Sequence, residues 1–402
     1  MTKDCKVRRI QKLCFNAALT AFLASVGLFL FASDKAYAAG TTYSITYYEN
    51  TVTNMPDNES GLGTSTDTTT LSSTKPSRSG FKFNGWCNTA TVKDANGNDT
   101  CSGTTYLAGA NNYPINNGAS FNTKLYAIWT EEKTIANSTT MQEVTSCPAS
   151  LPTGQVYTLK DSRDSTEYHT AKLADGKCWL LDNLALDLTD NTILSNLSSD
   201  NTNASTGLPY LKGTSTGTTS DRYATAAVSN WTSSYSYSAP LVNMTNKDVV
   251  PTSYNGTDDP MKDKAVAGNW KVGGYYNYCA ASAGSYCYGN GTDYGTSSGN
   301  ATEDICPKGW RMPTGYSGEY RTLYSNTNYN TYDKYREALR LPLSGYFSSG
   351  SAHYQGSDGR WWSSTRDYDF DMYSLDADTG IIDPAYYYDR FSGNSVRCVL
   401  GP

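Results

Sequence analysis

Two short stretches are the most informative part of the C-terminal half of this chain. Residues 305–314 read Ile-Cys-Pro-Lys-Gly-Trp-Arg-Met-Pro-Thr, and residues 395–399 read Ser-Val-Arg-Cys-Val. Aromatic and β-branched residues lie here among proline and glycine, which favours short strands and turns. The stretches therefore predict that an ordered, β-rich region follows the polar middle of the sequence.

Further regular elements are predicted on both sides of these stretches. Runs of strand-forming residues between turn signals predict a three-strand meander at 156–159, 168–173 and 178–181. Two helices are predicted at 319–325 and 332–339, and a hairpin is predicted about Asp378–Gly380. Strands therefore dominate this region, and short helices interrupt them.

The middle of the chain is polar. Between residues 195 and 220, 18 of 26 residues are Ser, Thr, Asn or Gly. Such a composition offers few apolar side chains to bury. We therefore expect a surface excursion that buries nothing, within a larger Ser/Thr/Asn-rich insertion near 195–260.

Several motifs in this region occur together in a known family. They are Tyr-Thr-Leu-Lys-Asp-x-Arg-Asp at 157–164, Gly-Lys-Cys-Trp at 176–179, Cys-Pro-x-Gly-Trp-Arg-x-Pro at 306–313, Trp-Ser-Ser-Thr at 362–365 and Ser-Val-Arg-Cys-Val at 395–399. Residues 141–402 thereby resemble the Fibrobacter succinogenes major paralogous domain. The resemblance implies an α+β fold of the C-type-lectin-like kind. It also implies that Cys306 pairs with Cys398.

The N-terminal part of the exported chain has a different pattern. Residues 43–47 alternate aromatic or apolar with polar side chains, residues 76–86 read Pro-Ser-Arg-Ser-Gly-Phe-Lys-Phe-Asn-Gly-Trp, and residues 125–129 read Leu-Tyr-Ala-Ile-Trp. These motifs resemble the Listeria–Bacteroides repeat of internalin-type surface proteins. The resemblance implies a small β-grasp-like module at 39–130, which is a spacer or contact domain. A polar linker follows at 131–140.

This module is small, and its tryptophans bear on how it is stabilised. Trp86 and Trp129 invite a ligand-stacking interpretation, but a module of this size has little core without them. We therefore expect both tryptophans in the core. The fold class predicted for the whole chain is mostly β with some α: a β-grasp-like repeat followed by an α+β C-type-lectin-like domain.

The first 38 residues have the organisation of a signal peptide. Five basic residues precede an apolar stretch at 17–32, and Ala-Tyr-Ala at 36–38 is a cleavage signal. The alternative is an uncleaved N-terminal anchor. We expect cleavage after Ala38, a secreted or cell-surface protein, and no membrane span in the mature chain.

Cysteine usage agrees with export. Eight cysteines follow residue 38, an even number that predicts four disulfides: Cys87, Cys101, Cys147, Cys178, Cys279, Cys287, Cys306 and Cys398. Eight cysteines allow 105 pairings, and the sequence does not choose among them. Local pairs such as Cys87 with Cys101 are the simplest choice. With Cys306 and Cys398 paired by family resemblance, the remaining local pairs are Cys147 with Cys178 and Cys279 with Cys287.

Charge excludes several classes of partner. The whole chain has a net charge of −6, and removing residues 1–38, with six basic and two acidic residues, makes it −10. Nucleic acids and anionic membrane surfaces require a surplus of Lys and Arg, so neither is an expected partner. Only His169 and His353 are present, which excludes multi-histidine metal sites and leaves histidine-based catalysis few options.

Tyrosines and aspartates supply the candidate ligand-binding residues. Tyr346 and Tyr354 lie among small polar residues, as do Tyr386 to Tyr388, and such surfaces suit adaptable recognition. The alternative is that these tyrosines reflect β-propensity alone. The candidate set is Tyr346, Tyr354, Trp361, Asp367 and Asp369.

Calcium is the one cofactor that the sequence leaves open. Asp367, Asp369 and Asp371 place carboxylates at alternate positions, and oxygen ligands on a loop suit this ion. The string fails as an EF-hand loop, because Met372 stands where the glycine belongs. A solvated acidic loop without a metal is the alternative.

These observations predict a non-catalytic adhesion protein that binds an extracellular glycan or protein. One alternative is a structural component of the cell envelope. The other is an enzyme related to formylglycine-generating enzymes, which share the lectin-like architecture and use a reactive cysteine pair near the C-terminal end. Cys398 is alone in that region of this sequence, so the pair is missing.

Overall fold

The computed structural model is mostly β with some α, as predicted; the β-grasp-like and C-type-lectin-like assignments stay predictions. It describes residues 43–48, 53–62, 68–95, 97–114, 122–212, 231, 240–285, 299–367 and 371–401. The predicted signal peptide at 1–38 lies outside these ranges. The chain divides into two compact units, Met1–Glu131 and Glu132–Pro402. Within the described residues, no helix combines the length and apolar character needed to cross a membrane.

The first unit contains short strands around one mixed sheet. The strands are β1 (Tyr43–Tyr48), β2 (Glu59–Leu62), β3 (Thr68–Thr69), β4 (Phe81–Cys87), β5 (Val92–Lys93), β6 (Asp99–Thr100), β7 (Thr105–Tyr106), β8 (Tyr113–Pro114) and β9 (Asn122–Glu131). The main sheet has the order β2-β1-β9-β4-β7. Strands β1 and β9 pair in parallel, and the other neighbours in this sheet are antiparallel.

The core of the first unit is aromatic. Trp86 and Trp129 are completely buried with Ile45 and Leu125. The ring of Phe83 lies edge-on to both tryptophans, at 5.0 and 5.6 Å between ring centroids. The prediction that the tryptophans form the core is confirmed, and they are not available for ligand stacking.

The second unit contains more strands and several short helices. The strands are β10 (Val156–Lys160), β11 (Glu167–Lys172), β12 (Cys178–Leu180), β13 (Val242–Asn243), β14 (Ser253–Tyr254), β15 (Thr257–Asp258), β16 (Tyr275–Tyr276), β17 (Gly299–Asn300), β18 (Trp310–Arg311), β19 (Tyr346–Ser348), β20 (Ser351–His353), β21 (Asp358–Arg366), β22 (Asp371–Asp378), β23 (Ile381–Asp389), β24 (Ser395–Val396) and β25 (Val399–Leu400). The helices are a 3₁₀ turn (Met141–Glu143), α1 (Asn191–Asn196), α2 (Leu208–Leu211), α3 (Lys262–Ala267), α4 (Tyr278–Ala281), α5 (Glu319–Tyr324) and α6 (Tyr332–Leu339).

Two larger sheets organise this unit. One has the order β10-β11-β12-β25-β18, so the predicted meander is confirmed and the C-terminal strand extends it. The other has the order β17-β21-β22-β23, with β24 parallel to β21. Trp361 and Trp362, consecutive on β21, are both completely buried in different apolar clusters. Because successive side chains point to opposite faces, β21 is covered on both sides.

Buried charges fasten the loops to these sheets. Arg163 forms an ion pair with Asp161 at 2.6 Å and donates to the Ile305 carbonyl at 2.6 Å. Although burial opposes ionisation, the charge and hydrogen bonds of Arg163 hold the pKa of Asp161 below its usual value. Asp304 accepts hydrogen bonds from the backbone N–H groups of Cys306 and Met312. The Asp-x-Arg and Cys-Pro-x-Gly-Trp-Arg motifs are therefore joined by buried polar contacts.

The polar region after residue 195 differs from the prediction. Leu197, Ala204 and Leu211 are buried in the larger apolar cluster, so the prediction that 195–220 buries nothing is wrong for its described part. The side chain of Asn201 satisfies nearby backbone groups at Ser198 and Asn196. A few spaced apolar side chains therefore anchor a segment whose average composition is polar. Residues 213–220 lie outside the described ranges.

Three of the predicted disulfides are present. They join Cys87 to Cys101, Cys147 to Cys178 and Cys306 to Cys398. Cys279 is also disulfide-bonded, and its predicted partner Cys287 lies outside the described residues. The Cys306–Cys398 bond spans 92 positions in sequence, against 14 for Cys87–Cys101.

The difference in loop length predicts unequal contributions to stability. Replacing both Cys306 and Cys398 by alanine is expected to lower the free energy of unfolding of the second unit by about 4–5 kcal/mol. The reason is that a disulfide that closes a longer loop removes more conformational entropy from the unfolded chain. The matched Cys87→Ala, Cys101→Ala variant is expected to cost the first unit about 3 kcal/mol. Denaturant unfolding measures both. Equal losses, or no loss in the second unit, would contradict this ranking.

Candidate functional site

A row of tyrosine rings lies along one part of the second unit. We define the tyrosine row by its members: Tyr254, Tyr354, Tyr346, Tyr388 and Tyr386. The centroids of Tyr254 and Tyr354 are 5.1 Å apart, those of Tyr354 and Tyr346 are 6.0 Å apart, and those of Tyr388 and Tyr386 are 5.0 Å apart. Tyr354 and Tyr386 are 44% and 43% exposed. The row therefore presents aromatic surface to solvent.

Two glycines permit this arrangement. Gly345 has φ +70°, and a Cβ there would lie 2.0 Å from the carbonyl oxygen of His353. Gly356 has φ +89°, and a Cβ there would lie 2.4 Å from the backbone of Ser253. Because no other residue tolerates both the positive φ and the close approach, these glycines let β19, β20 and β14 come together. Tyr346, Tyr354 and Tyr254 are neighbours for this reason.

An arginine joins the two halves of the row. The guanidinium carbon of Arg360 lies 3.8 Å from the ring centroids of both Tyr346 and Tyr388. Its Nη2 lies 2.8 Å from Oδ2 of Asp358, and its Nε donates to the same oxygen at 3.0 Å. A guanidinium between two aromatic faces is held by cation–π attraction as well as by its ion pair. Arg360 therefore fixes the distance between Tyr346 and Tyr388.

A pair of carboxyl groups lies beneath the arginine. Asp376 is opposite Arg360 across β21 and β22, and it accepts a hydrogen bond from the Tyr388 hydroxyl at 2.7 Å. Burial and the neighbouring Asp358 raise the pKa of Asp376 to about 7, against the effects of Tyr388 and Arg360. Burial also raises the pKa of Asp358.

The strands that carry the end of the row are acidic. Residues 371–389 contain no Lys or Arg, and their five aspartates are Asp371, Asp376, Asp378, Asp383 and Asp389. Asp371 and Asp389 are direct cross-strand partners. Burial, together with Asp389 and Asp367, raises the pKa of Asp371. The surface beside the row therefore offers hydrogen-bond acceptors in a negative field.

The structure separates the candidate residues that the sequence grouped. Tyr346 and Tyr354 both belong to the tyrosine row. The prediction for Trp361 is wrong, because this side chain is completely buried and donates its Nε1–H to Asn183 at 2.7 Å. Asp367 lies at the other end of β21, where its N–H donates to the Asp371 carbonyl at 3.1 Å.

The predicted calcium ligands are only partly described. Asp369 lies outside the described residues, so the predicted set of Asp367, Asp369 and Asp371 stays a prediction. Within the part of the chain that is described, no three His, Cys, Asp or Glu side chains are arranged to hold a metal ion.

Two cavities lie away from the row. One of about 330 Å³ is lined by residues of β11 and α6. The other, of about 120 Å³, contains His169, whose Nδ1 lies 2.7 Å from Oδ2 of Asp182. This contact orients the imidazole as in a catalytic dyad. The cavity is lined by neither serine nor cysteine, so its residues do not complete a Ser-His-Asp or Cys-His arrangement.

Sequence reasoning missed part of the site. Strand pairing between β21 and β22 brings Arg360, Asp358 and Asp376 to the row. Tyr254 comes from a segment about 100 positions earlier in the sequence than Tyr354, the ring that it contacts. The alternation of Asp358 and Arg360 along one strand was the available signal. No family model, curated protein or solved structure matches the chain.

The raised pKa of Asp376 predicts a pH dependence of stability. A carboxyl whose folded-state pKa exceeds its unfolded value favours folding when protonated, so this contribution is lost as pH rises from about 4 to about 7. Asp376→Asn keeps an acceptor for Tyr388 and removes the ionisation. We therefore expect the thermal unfolding temperature (Tm) of the variant to change less with pH than that of the parent between about pH 4 and about pH 7.

The control is Asp378→Asn, which replaces an exposed carboxyl on the same strand. This control is expected to change the pH dependence of the Tm much less than Asp376→Asn does. If the Tm of Asp376→Asn differed from that of the parent by the same amount from about pH 4 to about pH 7, the raised pKa of Asp376 would be contradicted.

Proposed function

We propose that this protein is a secreted or cell-surface binding protein that recognises an extracellular glycan through the tyrosine row and catalyses no reaction. The observation that carries the proposal is the succession of tyrosine rings joined through Arg360, with exposed rings at Tyr354 and Tyr386. The row combines apolar faces with hydroxyl groups at closely spaced positions.

The chemistry of a sugar matches such a surface. A pyranose ring has faces of C–H bonds that pack on aromatic rings, and its hydroxyl groups need donors and acceptors at the edge. Tyrosine meets both needs with few rotatable bonds, so little side-chain entropy is lost on binding. The aspartates of β22 and β23 supply further acceptors beside the row.

Disulfides support the proposed location. Three bonds in the described residues are consistent with an oxidising compartment, and residues 1–38 carry the pattern of a signal peptide. Under this proposal, the first unit is an internalin-type β-grasp-like repeat, and the second is a Fibrobacter major paralogous domain of lectin-like fold. The placement of motif residues in adjacent strands β4 and β9 supports the first assignment.

A protein ligand is the second candidate, because exposed tyrosines also suit protein recognition. The observation in its favour is Tyr387, which is 50% exposed on β23, the last strand of its sheet, and stacks on Tyr386 at 5.5 Å. The glycan is preferred because the row is not confined to the edge strand β23: it continues from Tyr386 to Tyr254, which lies on another part of the unit.

Binding measurements on variants test the proposed function. The oxidised chain from Ala39 onward is screened on a glycan array and titrated with the glycans it retains. Tyr354→Ala combined with Tyr386→Ala is expected to weaken binding by about 5- to 150-fold, since each stacked ring contributes about 0.5–1.5 kcal/mol. Tyr316→Ala, at a 59% exposed tyrosine outside the row, is the matched control and should bind as the parent does.

Three outcomes would contradict the proposal. One is retention of full affinity by the double variant. Another is loss of binding on calcium chelation with no effect of the tyrosine substitutions, which would move the site to the predicted calcium ligands Asp367, Asp369 and Asp371. The third is release of new reducing ends from the bound glycan, which would make the carboxyl pair catalytic.

A further inference from the structure

An open sheet edge lies outside the tyrosine row, on strand β10. This strand stands at the end of its sheet, with β11 as its neighbour. The N–H of Lys160 donates away from β11, to the Thr139 carbonyl at 3.0 Å. Because backbone groups alternate in direction along a strand, the N–H and C=O groups of Thr158 and Val156 also point away from β11. Among the described residues, none forms a backbone hydrogen bond with these groups.

The cavity of about 330 Å³ lies between this edge and helix α6. We define the strand–helix groove by residues that line it: Val156 on β10, Lys334 and Ala338 on α6, and Ala171, Leu173 and Leu181 at its floor. The floor residues are almost completely buried and belong to the apolar cluster that also contains Leu339 of α6. Val156 is 47% exposed and pairs with Ala171 across the strands. The groove can therefore take an apolar side chain from a ligand.

An open edge beside an apolar groove is a surface for an extended peptide. The N–H and C=O groups of a strand edge pair with another backbone in extended conformation. Alternate side chains of such a peptide point to one face, so a single side chain can enter the groove while the edge is paired. A small ligand would fill the groove and leave the backbone groups of Val156 and Thr158 unmatched.

Charge at the groove favours an acidic residue in the peptide. Lys334 is exposed near the start of α6 and forms no ion pair with any described residue. The nearby carboxylate of Glu337 is engaged by Lys264. Arg340 also lines the cavity, and its Nη1 lies 3.8 Å from Oδ1 of Asp182. A carboxylate on the peptide would therefore meet the unpaired ammonium of Lys334 at the rim.

We propose that the strand–helix groove binds an extended peptide segment of another protein, which adds as a strand along Val156 and Thr158. One apolar side chain of the segment occupies the groove, and one acidic side chain pairs with Lys334. This surface is separate from the tyrosine row, so the proposal goes beyond glycan recognition and does not depend on it.

Synthetic peptides are the probe. Threonine-rich peptides of about eight residues carry a central leucine and one glutamate, whose position is scanned. They are labelled with fluorescein and titrated against the oxidised chain from Ala39 onward by fluorescence polarisation. We expect saturable binding for at least one glutamate position. Replacing the leucine by alanine is expected to weaken binding about 5- to 20-fold, and replacing the glutamate by glutamine about 2- to 5-fold at low salt.

Thr158→Pro tests strand addition with little risk to the fold. The substitution removes an N–H that points away from β11, and proline is tolerated on an edge strand at such a position. It is expected to weaken the peptide at least about 10-fold, because a backbone hydrogen bond is lost and the ring obstructs the added strand. Thr158→Val keeps the N–H and a β-branched side chain, so this matched control should bind as the parent does.

Two further variants test the groove and the charge. Ala338→Phe fills the groove from a partly exposed helix position and is expected to weaken binding at least about 10-fold. Lys334→Gln should weaken the glutamate peptide about 2- to 5-fold and leave the glutamine peptide unchanged. Lys308→Gln, at an exposed lysine outside the groove, is its control. Near-ultraviolet circular dichroism checks that each variant is folded.

Several results would overturn the proposal. If no peptide binds, or if Thr158→Pro binds as tightly as Thr158→Val, no strand adds to β10. If N-acetyl-leucine binds as tightly as the peptides, the groove takes a small acid instead. If the free chain sediments as a dimer that Thr158→Pro dissociates, a second copy occupies the edge. Glycan binding by the tyrosine row is measured separately and can stand or fail whichever result is found.

Discussion

The second unit depends on a buried guanidinium that makes no ion pair with a carboxylate of the described residues. Arg397 is completely buried, and it donates to the carbonyl oxygens of Leu180, Leu339 and Arg340 and to the side chain of Asn183. Burial lowers the pKa of Arg397 to about 9. A buried charge is tolerated only when hydrogen bonds replace its hydration, so the two segments that supply these partners, residues 180–183 and 339–340, must hold their positions. The carbonyls at the end of α6 suit this role because a helix C-terminus is partially negative.

The motifs on which the proposed family assignment rests point inward. Arg397 and Cys398 belong to the last motif, Arg163 to the first, and Trp310 donates from the core to the Met141 carbonyl at 2.8 Å. These residues supply hydrogen bonds to buried polar groups, and Cys398 forms a disulfide with Cys306. They therefore carry information about architecture, and the proposed binding surface is composed of residues outside them. All five tyrosines of the row lie on strands and turns between the motifs.

Local patterns predicted more of the fold than of the site. Helix α6 has the predicted bounds, because its apolar spacing and the Thr331 cap are both local features. Pairing of Tyr254 with Tyr354 is not local, and it depends on the close approach that Gly356 permits. Trp361 shows a related difficulty: on a strand buried on both faces, alternation does not distinguish a core side chain from a surface one.

The carboxyl pair beneath the row is a second indication of a site, beside the tyrosines. Tyrosines are common on β-rich surfaces, whereas placing Asp358 beside Asp376 under one guanidinium lowers the stability of the fold near neutral pH. A pair of apolar residues could fill that space without this cost. Local arrangements that weaken a fold and remain well defined are typical of functional sites. The pair keeps Arg360 oriented between Tyr346 and Tyr388, so under the proposed function the unfavourable charge serves recognition.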